Sequence, residues 1–319
     1  MCYSAMVEQD YRLYKPTLHS DIDFEAFLDL FVLRLEDDSI RIPKAMEANF
    51  DSPQSPIEER IKDAIEQYRA KTRAKLETAL FAQKKRLADA ERTLATKTIK
   101  RALEDRRIAT DKIAWNSSKL ADLGRTDLRD IDSRIFPMWY APIVTNESGH
   151  RVLRPMRYTC RLNGKPENYD RRYPGTYNAR RDNLQGFWKG VFGRNHALTI
   201  ASSFYENVAL HDFERRSLRE GEKPQNVILH FNPQTAAPML VACLWDRWEA
   251  PGKRSLYSFA AITDEPPPEV AQAGHDRCII PLQLSAVDAW LNPIVEDRAV
   301  LDRLLDRRER PYYEHQLAA

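Results

Sequence analysis

Hydrophobic positions recur along the chain in three rhythms. Near the start, Met1 to Met6 reads as a short buried strand. From Asp23 to Leu35, the residues Phe24, Phe27, Leu28, Leu30, Phe31 and Leu35 recur as one packed helix face, with Asp21 or Asp23 as its N-cap. Residues 52–123 change rhythm. Ser55-Pro56-Ile57-Glu58 supplies a cap, a proline at the first helical position and a Glu three residues after the cap. From Ile57 to Leu123 there is no Gly or Pro, and Ile61, Ile65, Leu76, Leu80, Leu87, Leu94 and Leu103 recur at mostly helical intervals. That predicts one long helix or, better, a helical hairpin. From about Asp130 the runs become short and apolar or alternating: Ile135–Pro142, His196–Phe204, Asn226–Phe231, Met239–Trp245 and Leu256–Ile262, divided by Gly, Pro, Asn and Asp. Ser285–Leu291 and Ala299–Arg307 read as closing helices.

Irregular strand spacing without a βα rhythm predicts an α+β fold. The expected core is a curved, mixed, partly barrel-like sheet with flanking helices, carrying an inserted α-helical hairpin or coiled coil. The implied division is 1–50 and 131–319 as one catalytic domain in two pieces, with 51–130 as a charged helical insertion. Pro266-Pro267-Pro268 is a stiff loop leading toward His275.

Charge changes one part of this picture. The net formal charge of the 319 residues is only +2, so a nucleic-acid surface must come from local clustering. Such clustering exists between Pro56 and Lys112, where 16 Lys/Arg face 10 Asp/Glu. A solvated helix face, a basic arm on phosphates and a dimerising coiled coil all fit that composition. The four cysteines (Cys2, Cys160, Cys243, Cys278) are scattered, which argues against a disulfide framework and against a zinc site. No metal or cofactor is expected. No apolar run reaches the roughly 20 residues of a membrane span. Glu8, Asp10 and Arg12 break any leader pattern, so a cytoplasmic chain with reduced thiols is expected.

Cys2 is the one residue whose thiol can share a carbon frame with the chain's own α-amine. Removal of Met1 would leave a 1,2-aminothiol, which condenses with an aldehyde through a Schiff base and closes to a thiazolidine. By itself a Cys at position 2 is an ordinary small residue. Asn178-Ala179-Arg180 after a Pro-Gly turn, Glu206 at the end of an apolar strand, and His275 in a Gly-flanked loop each also have bland structural readings.

In order, however, Met1-Cys2, Trp139-Tyr140-Ala141-Pro142, Asn178-Ala179-Arg180, Phe204-Tyr205-Glu206, Leu244-Trp245 and His275-Asp276-Arg277 with Pro281-Leu282 form a motif set. That set resembles the SRAP family, the SOS-response-associated peptidases that shield abasic sites in single-stranded DNA. The resemblance spans residues 1 to about 50 and 131 to about 295. It implies a DNA–protein crosslinker, nucleoid-associated when bound, in which Cys2 condenses with the ring-opened abasic deoxyribose. Glu206 would accept a proton from the Cys2 amine or position it, His275 would shuttle protons, and Asn178 would orient Cys2 or a sugar hydroxyl. Arg180, Arg181 and Arg277 would hold phosphates, while Trp139 and Tyr140 would stack on bases. The partner implied is single-stranded DNA carrying abasic sites; the helical insertion leaves self-association or a further partner open.

The sequence departs from the family pattern around these residues. Met-Cys-Gly-Arg is Met-Cys-Tyr-Ser here, placing Ser4 where a DNA-contacting Arg is expected, and the Glu-Trp pair is Glu206-Asn207. Arg171, Arg172, Arg181 and Arg194 are the candidates to replace that Arg. Two other readings fit the same residues. In one, Cys2 is the N-terminal nucleophile of an amidohydrolase with its own amine as base. In the other, the chain is a non-catalytic nucleic-acid-binding protein working through its basic helices.

Overall fold

A computed structural model describes residues 4–235, 237–293 and 298–318. The fold is α+β. Its sheet strands are β1 (Ser4–Val7), β2 (Asp21–Ile22), β3 (Arg134–Ile135), β4 (Tyr140–Glu147), β5 (His150–Tyr158), β6 (Asn178–Arg180) and β7 (His196–Ala209). They continue with β8 (Asn226–Pro233), β9 (Met239–Trp248), β10 (Leu256–Asp264), β11 (Cys278–Ile279), β12 (Pro281–Leu282) and β13 (Tyr313–Leu317). Five of them close on themselves: β9 pairs with β10, β10 with β5, β5 with β4, β4 with β7, and β7 again with β9. Within this ring β10 and β5 run parallel and the other pairs antiparallel. The sheet is mixed and curved, as the sequence predicted.

Alternation along these strands divides the interior in two. Leu240, Ala242 and Leu244 of β9, with Leu198 and Ile200 of β7, pack against the helices; Met239, Val241 and Cys243, with Ala197 and Ala201, face a second cluster around Phe204, Phe231 and Phe259. The first cluster takes in α1 (Tyr11–Leu18) and α2 (Phe24–Glu36), whose Tyr11, Phe27 and Phe31 meet Phe50 ring to ring. Asp23 caps α2, its carboxylate accepting from the Ala26 amide at 3.0 Å.

The polar rhythm of residues 52–123 produces a hairpin. After β2 and α2 comes α3 (Lys44–Ala48), then α4 (Pro56–Thr96) runs out and α5 (Lys100–Gly124) runs back. Ser55 caps α4 by accepting from the Glu58 amide, and Glu58 reaches back to the Gln54 amide at 3.0 Å. The base of α4 belongs to the core, with Ile61, Ala64 and Ile65 buried beside Phe27 and Phe50. Farther out the two helices share a thin seam, in which Ala90, Ala102, Ala109 and Asn116 are buried. No helix of the described residues is long and apolar enough to cross a membrane.

Several expectations need correction. Ile135–Pro142 is not one strand: β3 ends at Ile135 and β4 starts at Tyr140, because Pro137 and the positive φ (75°) of Met138 turn the chain between them. The strands β5 and β13 and the helix α1 were not anticipated. The expected closing helices are present as Val287–Leu291, entered by a 3-10 turn, and Arg298–Asp306.

Candidate functional site

The site is built at the far end of β7. This strand carries Glu206 opposite Leu229 of β8, and Glu206 is fully buried. On its other edge β7 pairs with β1, where Ser4 lies opposite Tyr205 and Ala5 opposite Phe204. The described chain therefore begins one register position from Glu206.

His275 reaches Glu206 by way of a glycine. The short helix Pro268–Gln272 ends in a Schellman arrangement: the Gly274 amide donates to the Ala271 carbonyl at 2.9 Å and the His275 amide to the Val270 carbonyl at 3.2 Å. That turn requires the left-handed backbone of Gly274, φ 92°. There is also no room for a side chain, since a Cβ would stand 2.8 Å from Val208 Cγ1 and 2.9 Å from Asp212 Cβ. The helix end thus sits against β7 just past Glu206, and His275 Nε2 lies 3.3 Å from Glu206 Oε2.

The protonation of this pair follows from its surroundings. Burial pushes the His275 imidazole down to about 4, so it is neutral at pH 7. Nδ1 lies 2.9 Å from the Arg277 carbonyl and so carries the ring proton as donor. That turns the bare Nε2 toward the Glu206 carboxyl. The pair is placed to take up a proton and give it back.

Asn178 stands on β6, which adds in parallel to β10 with Asn178 opposite Ala261. Its side-chain oxygen accepts from Thr263 Oγ1 of β10, which leaves its Nδ2 buried with no hydrogen-bond partner among the described residues. At the end of β6, Arg180 Nη2 meets Asp182 at 2.7 Å, and Arg277 Nη2 meets the same carboxylate at 3.3 Å. Asp182 thereby ties the Asn-Ala-Arg segment to the His-Asp-Arg segment. The chain of contacts runs from Glu206 through His275 and Arg277 to Asp182 and Arg180.

Other residues expected at the site lie elsewhere. Tyr140 is a core residue, 7% exposed and packed with Val144 and Leu153, so its ring is not free to stack on a base. Trp139 is half-buried against Phe136, ring centroids 5.5 Å apart. Arg181 is engaged by Asp264 at 3.0 Å and Asp306 at 2.7 Å, pinning the Arg298–Asp306 helix to β10. Arg171, Arg172 and Arg194 are exposed. Cys2 lies outside the described residues. Cys160, Cys243 and Cys278 are buried free thiols, and burial pushes all three up, Cys278 to about 12.

One residue escaped the sequence reading. Arg134 of β3 donates from Nε to Ser4 Oγ at 2.9 Å, and its guanidinium lies 3.5 Å from the centre of the Tyr205 ring. His230 stacks on Tyr205 with ring centroids 4.2 Å apart. A buried cation therefore stands beside position 4, where the family pattern places an Arg. Only the pairing of Met6 with Arg134 reveals it.

The family model described as SOS response associated peptidase (SRAP) matches residues 97–318, beginning at the turn of the hairpin. Among solved structures, a protein from Bacteroides thetaiotaomicron is 14% identical, with 58% of this chain and 77% of that one covered and a TM-score of 0.46. One from Bordetella bronchiseptica is 19% identical, covering 61% and 90%, with a TM-score of 0.45. A phage-related protein of the same organism is 18% identical, covering 58% and 80%, with a TM-score of 0.43. No curated protein matches.

Proposed function

The chain belongs to the SRAP family, and from that premise we propose that it captures abasic sites in single-stranded DNA covalently through Cys2. Family membership supports a DNA-damage-associated function of the SRAP type; the crosslinking chemistry is the finer reading. The observation that carries it is the buried Glu206–His275 pair beside the start of β1. Two peptide steps separate Cys2 from Ser4, a reach of roughly 7 Å. The three described cysteines are buried with raised pKa values, which leaves Cys2 as the candidate nucleophile.

The step balances without a cofactor. After Met1 is removed, the Cys2 amine, freed of its ammonium proton, adds to the aldehyde carbon of the ring-opened deoxyribose and gives a carbinolamine. Its hydroxyl leaves as water, forming an imine. The thiolate then adds to the imine carbon and the nitrogen takes up a proton, closing the thiazolidine. Overall, aldehyde and aminothiol join and one water is released. Glu206 and His275 hold the proton that the amine gives up and return it to the departing hydroxyl. Asn178 orients the sugar or the Cys2 backbone with its buried amide, and Arg180 and Arg277 receive a flanking phosphate. An autopeptidase action that removes Met1 is consistent with the same residues.

The test uses uracil-containing single-stranded DNA treated with uracil-DNA glycosylase. Wild type should give a heat-stable, slower-migrating adduct, and Cys2→Ala none. Glu206→Gln should slow adduct formation by about 10²–10⁴-fold. An undiminished adduct from Cys2→Ala, or retention of Met1 in the intact mass of the active protein, would sink the proposal.

A further inference from the structure

The excess positive charge of the helical hairpin is not spread along it. Residues 56–80, the part of α4 nearest the body, carry six Lys/Arg against five Asp/Glu. Residues 81–110, which form the distal half of both helices and the turn, carry nine against four. The body reaches α4 only as far as Lys75, which meets Asp38, and Lys71, which meets Leu35 and Asp38. On the return helix, the Asp122 carbonyl accepts from Lys44 at the base. Between these points the ion pairs of the described residues stay within the hairpin, as in Arg86–Asp105 and Arg107–Glu104. About twenty residues of α4 beyond Lys75 make a projection of roughly 30 Å.

We infer that the distal hairpin is a second nucleic-acid contact, binding the phosphodiester backbone away from the Glu206–His275 site. Lys84, Lys85, Lys97, Lys100 and Arg106 are exposed and have no ion pair among the described residues. They stand unpaired at a tip whose own ion pairs stay within the hairpin. Phe81 stands out from the same face region as Lys84 and Lys85, one helical turn before them, and is 73% exposed, a stacking surface beside cations. A second copy of the chain is a poor occupant, because it would bring one excess of five positive charges against another, and the seam residues that could pair are already used within the hairpin. The inference rests on the charge distribution and needs no crosslinking.

The experiment measures reversible binding of the full chain to an undamaged fluorescent 30-mer, single-stranded and duplex in separate arms, from 50 to 300 mM salt. Lys84→Glu/Lys85→Glu/Lys97→Glu/Lys100→Glu should weaken binding at least tenfold at 50 mM salt. It should also lower the slope of log affinity against log salt by about 3, since each lost phosphate contact removes roughly 0.7 to 0.9. The all-arginine version of the same four positions should bind as wild type does. Unchanged affinity and slope in the charge-reversed variant overturn the inference, as does wild-type binding to phosphatidylserine vesicles with none to either DNA. Cys2→Ala should leave this binding intact, so a failed crosslink and a failed tip contact are told apart.

Discussion

The end of β7 and the tip of the hairpin handle charge in opposite ways. At β7 a carboxyl group is fully buried and an imidazole nearly so, and burial drives the imidazole neutral. At the tip eight of nine cations are exposed and Arg86 is half-buried, and surface ion pairs there are worth under about 1 kcal/mol each. Enclosure makes protons transferable and geometry strict. Exposure makes charge cheap to place, indifferent to exact position and sensitive to salt. On the proposed reading, one region serves a reaction at a fixed point and the other attraction to something extended.

The comparison can be pressed first within the hairpin itself. Ile61→Ala at its buried base should cost about 2–5 kcal/mol of folding free energy, whereas Leu87→Ala in the thin distal seam should cost clearly less. Chemical denaturation measures both; equal costs would mean that the distal seam carries as much of the core as the base does. Next comes the glycine behind His275. Gly274→Ala should cost about 1–3 kcal/mol from the left-handed backbone alone, with the 2.8 Å approach to Val208 adding to it. Because the helix end must move off β7, adduct formation should slow more than stability loss explains. Full activity in a folded Gly274→Ala protein would show that His275 does not need this placement.

The smallest expected effect is the acid response. His196 is pushed down to about 3 by burial, with Nδ1 facing the Trp290 carbonyl at 2.9 Å and Nε2 accepting from the Gly193 amide at 2.9 Å. Both it and His275 are neutral when folded. In the unfolded chain each binds a proton near pH 6.5, so below that value the unfolded state holds more protons than the folded state. Stability from these two groups is complete above pH 6.5 and falls as the pH drops from 6.5 toward 4. A melting temperature that does not decline between pH 7 and 5 would contradict buried neutral imidazoles.

Much of this architecture was legible in the residue pattern, for identifiable reasons. The hairpin is local: Ser55, Pro56 and the long glycine-free run state it within a few residues of where it forms. The caps Asp23 and Ser55 are equally local. What escaped depends on distant neighbours. β5 carries Arg151, Arg154 and Arg157 at every third position and includes Pro155, so it breaks the two-residue strand period and reads as polar loop until β4 and β10 flank it. α1 holds Pro16, which argues against a helix in isolation. Arg134 becomes a neighbour of Ser4 only across a pairing of strands 130 residues apart. Of the site, motif order brought out Glu206 and His275, which lie in contact. The resemblance gave Tyr140 as a stacking ring, but β4 is buried on both faces from Tyr140 to Thr145, which a motif does not reveal.

The first strand is also an internal one, with β3 on one side and β7 on the other. Its partners are residues 134–135 and 201–205, so β1 is made first but can pair only after most of the chain exists. Closing such long loops is entropically costly and slow, and on a growing chain it must wait for synthesis. β1 therefore acquires its neighbours late in folding. On the proposed chemistry, reaction at Cys2 would wait for that pairing, and the order of assembly would guard against early reaction.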